Sequence, residues 1–440
     1  VSGRVAKSLK QDLLRRVFLW VFIALFLSSL PASPFSFGGA VSSKQLFPQQ
    51  PPSFVGVGLG SVASVAVETV GAVRVVVDGN TVLDSPFVPQ LTISQRMNGL
   101  VVMMGDRELA RGREVKILPT AMHQASLKWK GCPYYGAFEC SLRGSSVQLI
   151  NVVPLEDYVR GVAQAEIGDA PIEAVKAQLV VIRSEVIHKL NLRRHAAEGF
   201  DFCTDNHCMA YRGAKDENQN LIEASRATAG LVLTNRNGVL DAVFHCVCGG
   251  VTAGAEDVWS SPAIEGLSSV LDCSGNQQAP DLSSEEAATN FILNPLRGSF
   301  CDSQNAVYPR YAQKYFRWRK ELSGEELSKL AGVGRVTEIF VKERRRSGRV
   351  RRLQVIGERG TRVFEKELPI RNAFGLWSGL FILQVYKAGG WVQRVEFVGA
   401  GNGHGVGLCQ MGAWSMARQG YSFERILQHY YPGARLQKLY

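Results

Sequence analysis

The stretch PIEAVKAQLVVIRSEVIHKL, residues 171–190, restricts the possible folds more than any other part of the chain. Pro171 suits a first helical turn, and Ile172, Val175, Leu179, Ile182 and Val186 recur at three- and four-residue steps, so the spacing predicts a helix. The run Leu179-Val180-Val181-Ile182 adds apolar groups in every direction around the axis. A helix of this kind is buried almost all round. Lys176 and Arg183 lie two turns apart and share a side with Val180 and Ile187. Two cations on a largely buried helix need anionic partners, and the candidates are Glu166 and a bound anionic ligand.

Glu166 belongs to the preceding segment, LEDYVRGVAQAEI, bounded by Pro154 and Gly168, which reads as a helix over about 154–167. Leu155, Val159 and Val162 form its apolar stripe, and Glu166 falls on that stripe in the last turn. Burial and the negative end of the helix dipole both disfavour a charged carboxylate, so a raised pKa is expected. Such a glutamate is suited to general acid work near neutral pH. A salt-bridged structural glutamate at a frayed helix end is the other reading.

With 440 residues, 46% hydrophobic and 20% charged, the chain can bury a sizeable core in two or three domains. Its net charge of +11 calls for something anionic: nucleic acid, lipid head groups or an acidic glycan. Arg4, Lys7, Lys10, Arg15 and Arg16 precede the apolar run VFLWVFIALFLSSL, and small residues follow Pro31. Residues 1–37 therefore read as a secretory signal or N-terminal membrane anchor, which places the mature protein in the periplasm or on the outer face of the cytoplasmic membrane. That location argues against nucleic acid as a partner. The basic run KERRRSGRVRR (342–352) reads instead as a solvated hairpin tip at Ser347-Gly348. Residues 38–60, rich in Pro, Ser, Gly and Gln, read as a linker.

Residues 61–144 read as a small β-rich domain, with hairpin signals at Asp78-Gly79-Asn80 and Asn98-Gly99. After the two helices, Cys203, His207 and Cys208 crowd into one loop with His195 eight residues upstream. Two thiolates and two imidazoles would complete a tetrahedral zinc set, while a local Cys203–Cys208 disulfide is the alternative in an oxidising compartment. The chain has nine cysteines, so at least one is unpaired or pairs between chains. A helix over about 218–228 leads to a hairpin at Asn237-Gly238, whose second strand ends at His245, Cys246 and Cys248 beside Gly249 and Gly250. In GNGHGVGLCQMGAWSMARQG (401–420), glycine alternates with larger residues, so an extended segment there would have one bare face and one carrying His404. The spacing is not that of a phosphate loop. His245, His404 and Gln410 are candidates for contact with a substrate.

The blocks VVPLEDYVRGVAQAEI, EAVKAQLVVIRSEV, FDFCTDNHCMAYRG, ATAGLVLTNRNGVLDAVFHCVCGG, AEDVW, HGVGLCQMGA and ILQHYYPG occur in the order found in the stage II sporulation protein D group, which includes the amidase enhancers. The resemblance runs over 145–440, with a divergent stretch at about 275–395. It implies an α+β fold, a mixed helical and β catalytic core of this type preceded by the small β domain. It also implies cell-wall work: a lytic transglycosylase that cuts peptidoglycan glycan strands, already stripped of stem peptides by an amidase, between N-acetylmuramic acid and N-acetylglucosamine.

In that group the essential acid sits in a Ser-Glu-Met block, which maps onto Ala165, Glu166 and Ile167. Lys176 and Arg183 map to cleft positions, and Cys203, His207 and Cys208 map to a zinc site, to which the residues above add His195 as fourth ligand. The zinc would be structural, and the chemistry requires no cofactor. The implied partners are denuded glycan strands, a cell-wall amidase and division or developmental proteins, with the membrane touched only through the N-terminal segment. A single carboxylate suffices if it first donates a proton to the glycosidic oxygen and then takes one from the C6 hydroxyl of the same sugar, leaving a 1,6-anhydro end. The second reading is a non-catalytic amidase enhancer that binds cell wall. The sequence departs from the group in the short IGDA link after Glu166, and in Cys246 and Cys409 where serine is common.

Overall fold

The computed structural model describes residues 51–205, 207–259, 261–275, 277–305 and 308–440, and statements of count below refer to these. The leader or anchor expected over 1–37 and the first part of the linker lie outside the described residues.

Alternating apolar residues build half-buried strands. Ser64–Thr69 and Val73–Val77 show this alternation, with Val65, Val67, Val73, Val75 and Val77 all turned into the core. The strands form a mixed sheet of seven, in the order Phe202–Cys203, Phe54–Val62, Ser146–Pro154, Ala137–Arg143, Glu114–Pro119, Val73–Val77 and Asn80–Ser85. A second sheet of six contains Ser64–Thr69, Gln90–Arg96 and Gly99–Met104. Both share one apolar core with the helices that follow.

The expected linker is corrected here: Phe54–Val62 is a strand inside the first sheet, antiparallel to Ser146–Pro154 and parallel to Phe202–Cys203. Its glycines imitate linker composition but serve close packing, since a Cβ at Gly58 would lie 2.6 Å from the Phe200 ring. The hairpin at Asp78-Gly79 forms with φ of 46° and 84°, as a tight primed turn requires. The other two turns fall one residue earlier than expected, on Met97-Asn98 and Arg236-Asn237, and Gly99 and Gly238 open the return strands.

Helix α1, Leu155–Ile167, leaves the strand Ser146–Pro154 without a loop. Helix α2, Ile172–Leu190, is buried at every residue from Ala177 to Ile187. It is covered by α1, by α3 (Gln219–Ala227), by the strand Leu231–Asn235, and by α4 (Gln410–Arg418) and α5 (Phe423–Tyr430). The all-round apolar pattern thus becomes the axis of the helical layer.

The divergent stretch contains a core of its own. The strands Trp318–Ser323, Trp391–Gly399 and Phe381–Ala388 form one sheet, and Val336–Arg344, Val350–Gly357 and Gly360–Glu365 form another. Leu327, Val336, Leu353, Ile370, Phe381 and Phe397 pack within it. The hairpin expected at Ser347-Gly348 is present, but its tip is not solvated: Ser347 is 0% exposed and Arg349 1%. Acidic side chains account for this. Asp257 accepts from the Ser347 backbone N–H at 2.9 Å, Arg344 pairs with Glu285 at 2.5 Å, and Arg352 with Glu365 at 2.6 Å. The segment 401–407 is likewise not extended as expected. Gly401, Gly403, Gly405 and Gly407 all adopt positive φ, and a Cβ at Gly405 would collide with the buried Arg349 guanidinium. The other three glycines pack against the preceding strand segment, where a Cβ at Gly401, Gly403 or Gly407 would meet the Val247 carbonyl, His245 or the Val243 carbonyl.

Candidate functional site

Glu166 is half-buried at the end of α1, where Gly168 at φ 57° stops the helix. Burial raises its pKa, and a backbone hydrogen bond from Ala210 and the Gln410 amide partly oppose the rise. Gln410 also donates to the Glu166 carbonyl at 3.2 Å. Its arrival there is a matter of strand pairing. Phe244–His245 runs parallel to Leu408–Cys409, with His245 opposite Cys409, and α4 starts at the next residue. Met411 N–H then donates to the Cys246 carbonyl at 3.1 Å. The sheet therefore delivers Gln410 from the far end of the chain onto Glu166.

The loop that supplies Ala210 also holds the cysteine and histidine set. Donor atoms of His195, Cys203, His207 and Cys208 all lie within 4.8 Å of one another. His195 Nε2 is 3.3 Å from Cys208 Sγ, and His207 Nδ1 is 3.7 Å and 3.8 Å from the sulphurs of Cys203 and Cys208. Bond lengths to tetrahedral zinc place neighbouring donors about 3.3–3.8 Å apart, so the set fits that ion. Glu198 Oε2 stands 3.5 Å from His195 Nδ1, where an outer carboxylate orients a ligating imidazole. Cys203 is fixed by the short strand Phe202–Cys203 against Phe54–Val62, and Ala210 follows Cys208 by two residues.

His245 and His404 meet with ring centroids 5.7 Å apart, and Trp259, 45% exposed, lies 5.2 Å from His404. Burial pushes the His245 pKa down to about 3, aided by the charge of Arg349, so the ring is neutral and its Nδ1–H donates to the Val406 carbonyl at 3.1 Å. His404 is also lowered by burial, and its Nδ1 accepts from the Val406 N–H at 3.1 Å. Both histidines hold the glycine-rich segment in place.

Two expectations are corrected. Arg183 does not line a cleft: its side chain is 0% exposed and forked onto both carboxylate oxygens of Glu156 at 2.7 Å, with a further bond to the Leu231 carbonyl at 3.0 Å. The anion demanded by a buried guanidinium is thus Glu156, next to Leu155 in the first turn of α1, rather than Glu166 or a ligand. Lys176 pairs with Glu173 of its own helix at 2.6 Å, and Glu173 also accepts from the Phe423 N–H at the start of α5, 2.8 Å away.

The sequence reading passed over Glu185. It is buried on α2, and burial pushes its pKa up to about 7; the positive charge of Lys189 opposes the rise, while Asp241 and Glu166 add to it. The signal was available, because any carboxylate on a helix covered all round must be buried. A carboxyl bound more tightly to its proton in the folded state than the ordinary value of about 4.3 stabilises the fold below that value. The contribution is lost as pH rises through about 7. Glu185→Gln is therefore expected to raise the melting temperature relative to wild type at pH 8 and not at pH 4.5. An equal shift at both pH values, measured by thermal unfolding, would show that Glu185 does not titrate in this way.

Two family models match the chain. Residues 143–235 match the stage II sporulation protein model. This segment contains α1, α2, Glu166 and the whole cysteine and histidine set. This segment is therefore similar to the stage II sporulation protein domain. Stage II sporulation protein D of Bacillus amyloliquefaciens is 27% identical over 302 residues, covering 65% of this chain and 75% of that one. Its namesake in Bacillus subtilis is 24% identical over 307 residues, 66% and 76% of the two chains. An uncharacterised protein of Brachyspira hyodysenteriae is 25% identical over 345 residues, 78% and 83%. The second model, a domain of unknown function (DUF8618), matches residues 253–407. It spans the module with its own core and the segment that carries His404.

Proposed function

We propose that this protein is a member of the stage II sporulation protein D family and a lytic transglycosylase acting on peptide-stripped peptidoglycan strands, with Glu166 as its acid and base. The match of residues 143–235 to the stage II sporulation protein model supports the coarser part of the reading, a role at the cell wall. The observation that carries the finer part is a half-buried carboxyl whose pKa is raised by burial, beside Ala210 and a Gln410 amide that donates to the Glu166 main-chain carbonyl. In the protonated state it can donate to the bridging oxygen as the glycosidic bond breaks. The resulting carboxylate takes the C6 hydroxyl proton as that oxygen closes on C1. Internal attack replaces the activated water, and with it the second carboxylate that hydrolysis uses. Glu185 does not supply that second group to a substrate, being buried and tied to Lys189.

A zinc ion on His195, Cys203, His207 and Cys208 would have four protein ligands and would supply cross-linking rather than chemistry. Cross-linking there steadies the loop that carries Ala210. Such a substrate puts the working site outside the cytoplasmic membrane and makes an amidase the upstream partner.

Mass spectrometry of products from amidase-stripped glycan strands tests the reading. Anhydro-ended fragments are expected. Reducing ends would indicate hydrolysis, and intact strands alongside a stimulated amidase would indicate an enhancer; either result overturns the transglycosylase. Because the first step needs the protonated acid, the rate is expected to fall as pH rises through the raised pKa of Glu166, and a rate that climbs through that region would contradict its role.

A further inference from the structure

A second group of ligand-type side chains lies outside the loop already described. Cys248, Asp272, Cys301 and Cys409 are each 0% exposed, and their donor atoms all lie within 4.8 Å of one another. Four separate segments supply them, and Cys248 Sγ is 3.4 Å from Cys301 Sγ. Backbone N–H groups point at the sulphurs: those of Cys248 and Gly412 at Cys409, 3.2 and 3.4 Å away, and that of Gly250 at Cys248, 3.4 Å away. Donors so placed stabilise thiolates and orient them as metal ligands. Asp272 is held just as firmly. Its Oδ2 accepts from the Cys301 N–H at 2.9 Å and the Ser299 hydroxyl at 3.2 Å, and its Oδ1 accepts from the Tyr430 hydroxyl at 2.6 Å.

We propose that Cys248, Asp272, Cys301 and Cys409 bind one zinc ion in a closed, four-coordinate structural site. Three sulphurs and an oxygen brought this close suit a single tetrahedral ion, with neighbouring sulphurs about 3.8 Å apart. They are too close to serve an iron–sulfur cluster, whose ligands are spread over two or more irons. Binding requires no oxidant, because each cysteine gives its proton to solvent as its sulphur bonds the metal. Part of the excess negative charge is met by the Arg317 guanidinium, which donates to the Gly249 carbonyl at 2.9 Å and interacts with the charges of Cys248 and Cys301. The ion would tie the start of α4, and so Gln410, to the segments carrying Cys248, Asp272 and Cys301. The proposal does not depend on glycan cleavage.

The test is the zinc content of the full chain purified under reducing conditions. Two ions per wild-type chain are expected, one in the Cys203→Ser/Cys208→Ser double variant, and none when Cys301→Ser is added. Cobalt in the double variant should give the intense near-ultraviolet bands of thiolate ligation. Should that variant fail to fold, X-ray absorption on wild type decides the matter, with a mean of about two and a half sulphurs per zinc expected from two such sites. A single zinc with two sulphurs, zinc content indifferent to Cys301→Ser, or a Cys248–Cys301 disulfide found by peptide mapping would overturn the proposal.

Discussion

Glu166→Gln is expected to slow formation of anhydro ends on peptide-stripped glycan by about 10²–10⁴-fold, the range that a positioned general acid and base contributes. The amide keeps the shape of the side chain and an oxygen that accepts from Ala210, so the fold and glycan binding should be unaffected. Loss of a buried ionisable group should leave the melting temperature level or slightly higher. The measurement is product formation by mass spectrometry together with pull-down on insoluble denuded strands. Cleavage within a few-fold of wild type would remove Glu166 from the mechanism. Unchanged amidase stimulation, in a protein whose wild type cuts nothing, would replace the enzyme with the enhancer.

Arg183→Met is expected to cost about 3–5 kcal/mol of stability, because it strands the Glu156 carboxylate without its forked partner. That carboxyl is otherwise raised by burial, and the Arg183 guanidinium brings it below the ordinary value, with Tyr440 and the Gly230 N–H assisting. The lowered pKa means that the pair's contribution is present above the unfolded carboxylate value and fades as the medium is acidified through the folded one. Replacing both partners with apolar residues, Arg183→Met with Glu156→Leu, should recover a large part of the loss. Denaturant unfolding measures the free energies, and cleavage per folded molecule should stay constant. A raised KM with unchanged stability would return Arg183 to the cleft.

These two residues show why part of the site was legible and part was not. Periodicity assigns a side chain to a face of its helix, so Glu166 on an apolar stripe and Arg183 on a buried helix were both visible in sequence. It does not say which neighbour meets that face. Arg183 found Glu156, 27 positions away, and no spacing rule links the two. The converging histidine and cysteine loop was readable because its members lie within 14 residues, His195 to Cys208. Cys248, Asp272, Cys301 and Cys409 were not, because 161 positions separate the first from the last and only strand pairing brings them together.

Glycine and arginine misled for a related reason. Gly56 and Gly58 suggested a linker, and the run around Arg349 suggested a solvated tip, because composition reports what a residue tolerates and not what covers it. Phe200 fills the space beside Gly58, and acidic side chains neutralise the basic hairpin.

The resemblance carried by the sequence implied the mixed α+β fold, and the sequence by itself determined the two consecutive helices, the hairpins within about one residue, and the carboxyl on the apolar stripe at the end of α1. Each of these local features follows from patterns only a few residues long, in which local propensity and side-chain period agree. Tertiary structure alone decided that Gln410 reaches Glu166, that the arginine on α2 is a buried strut, and that a second set of thiols meets in the core. Those contacts join segments up to 244 residues apart, and their geometry is fixed by sheet register and by the packing of one buried helix.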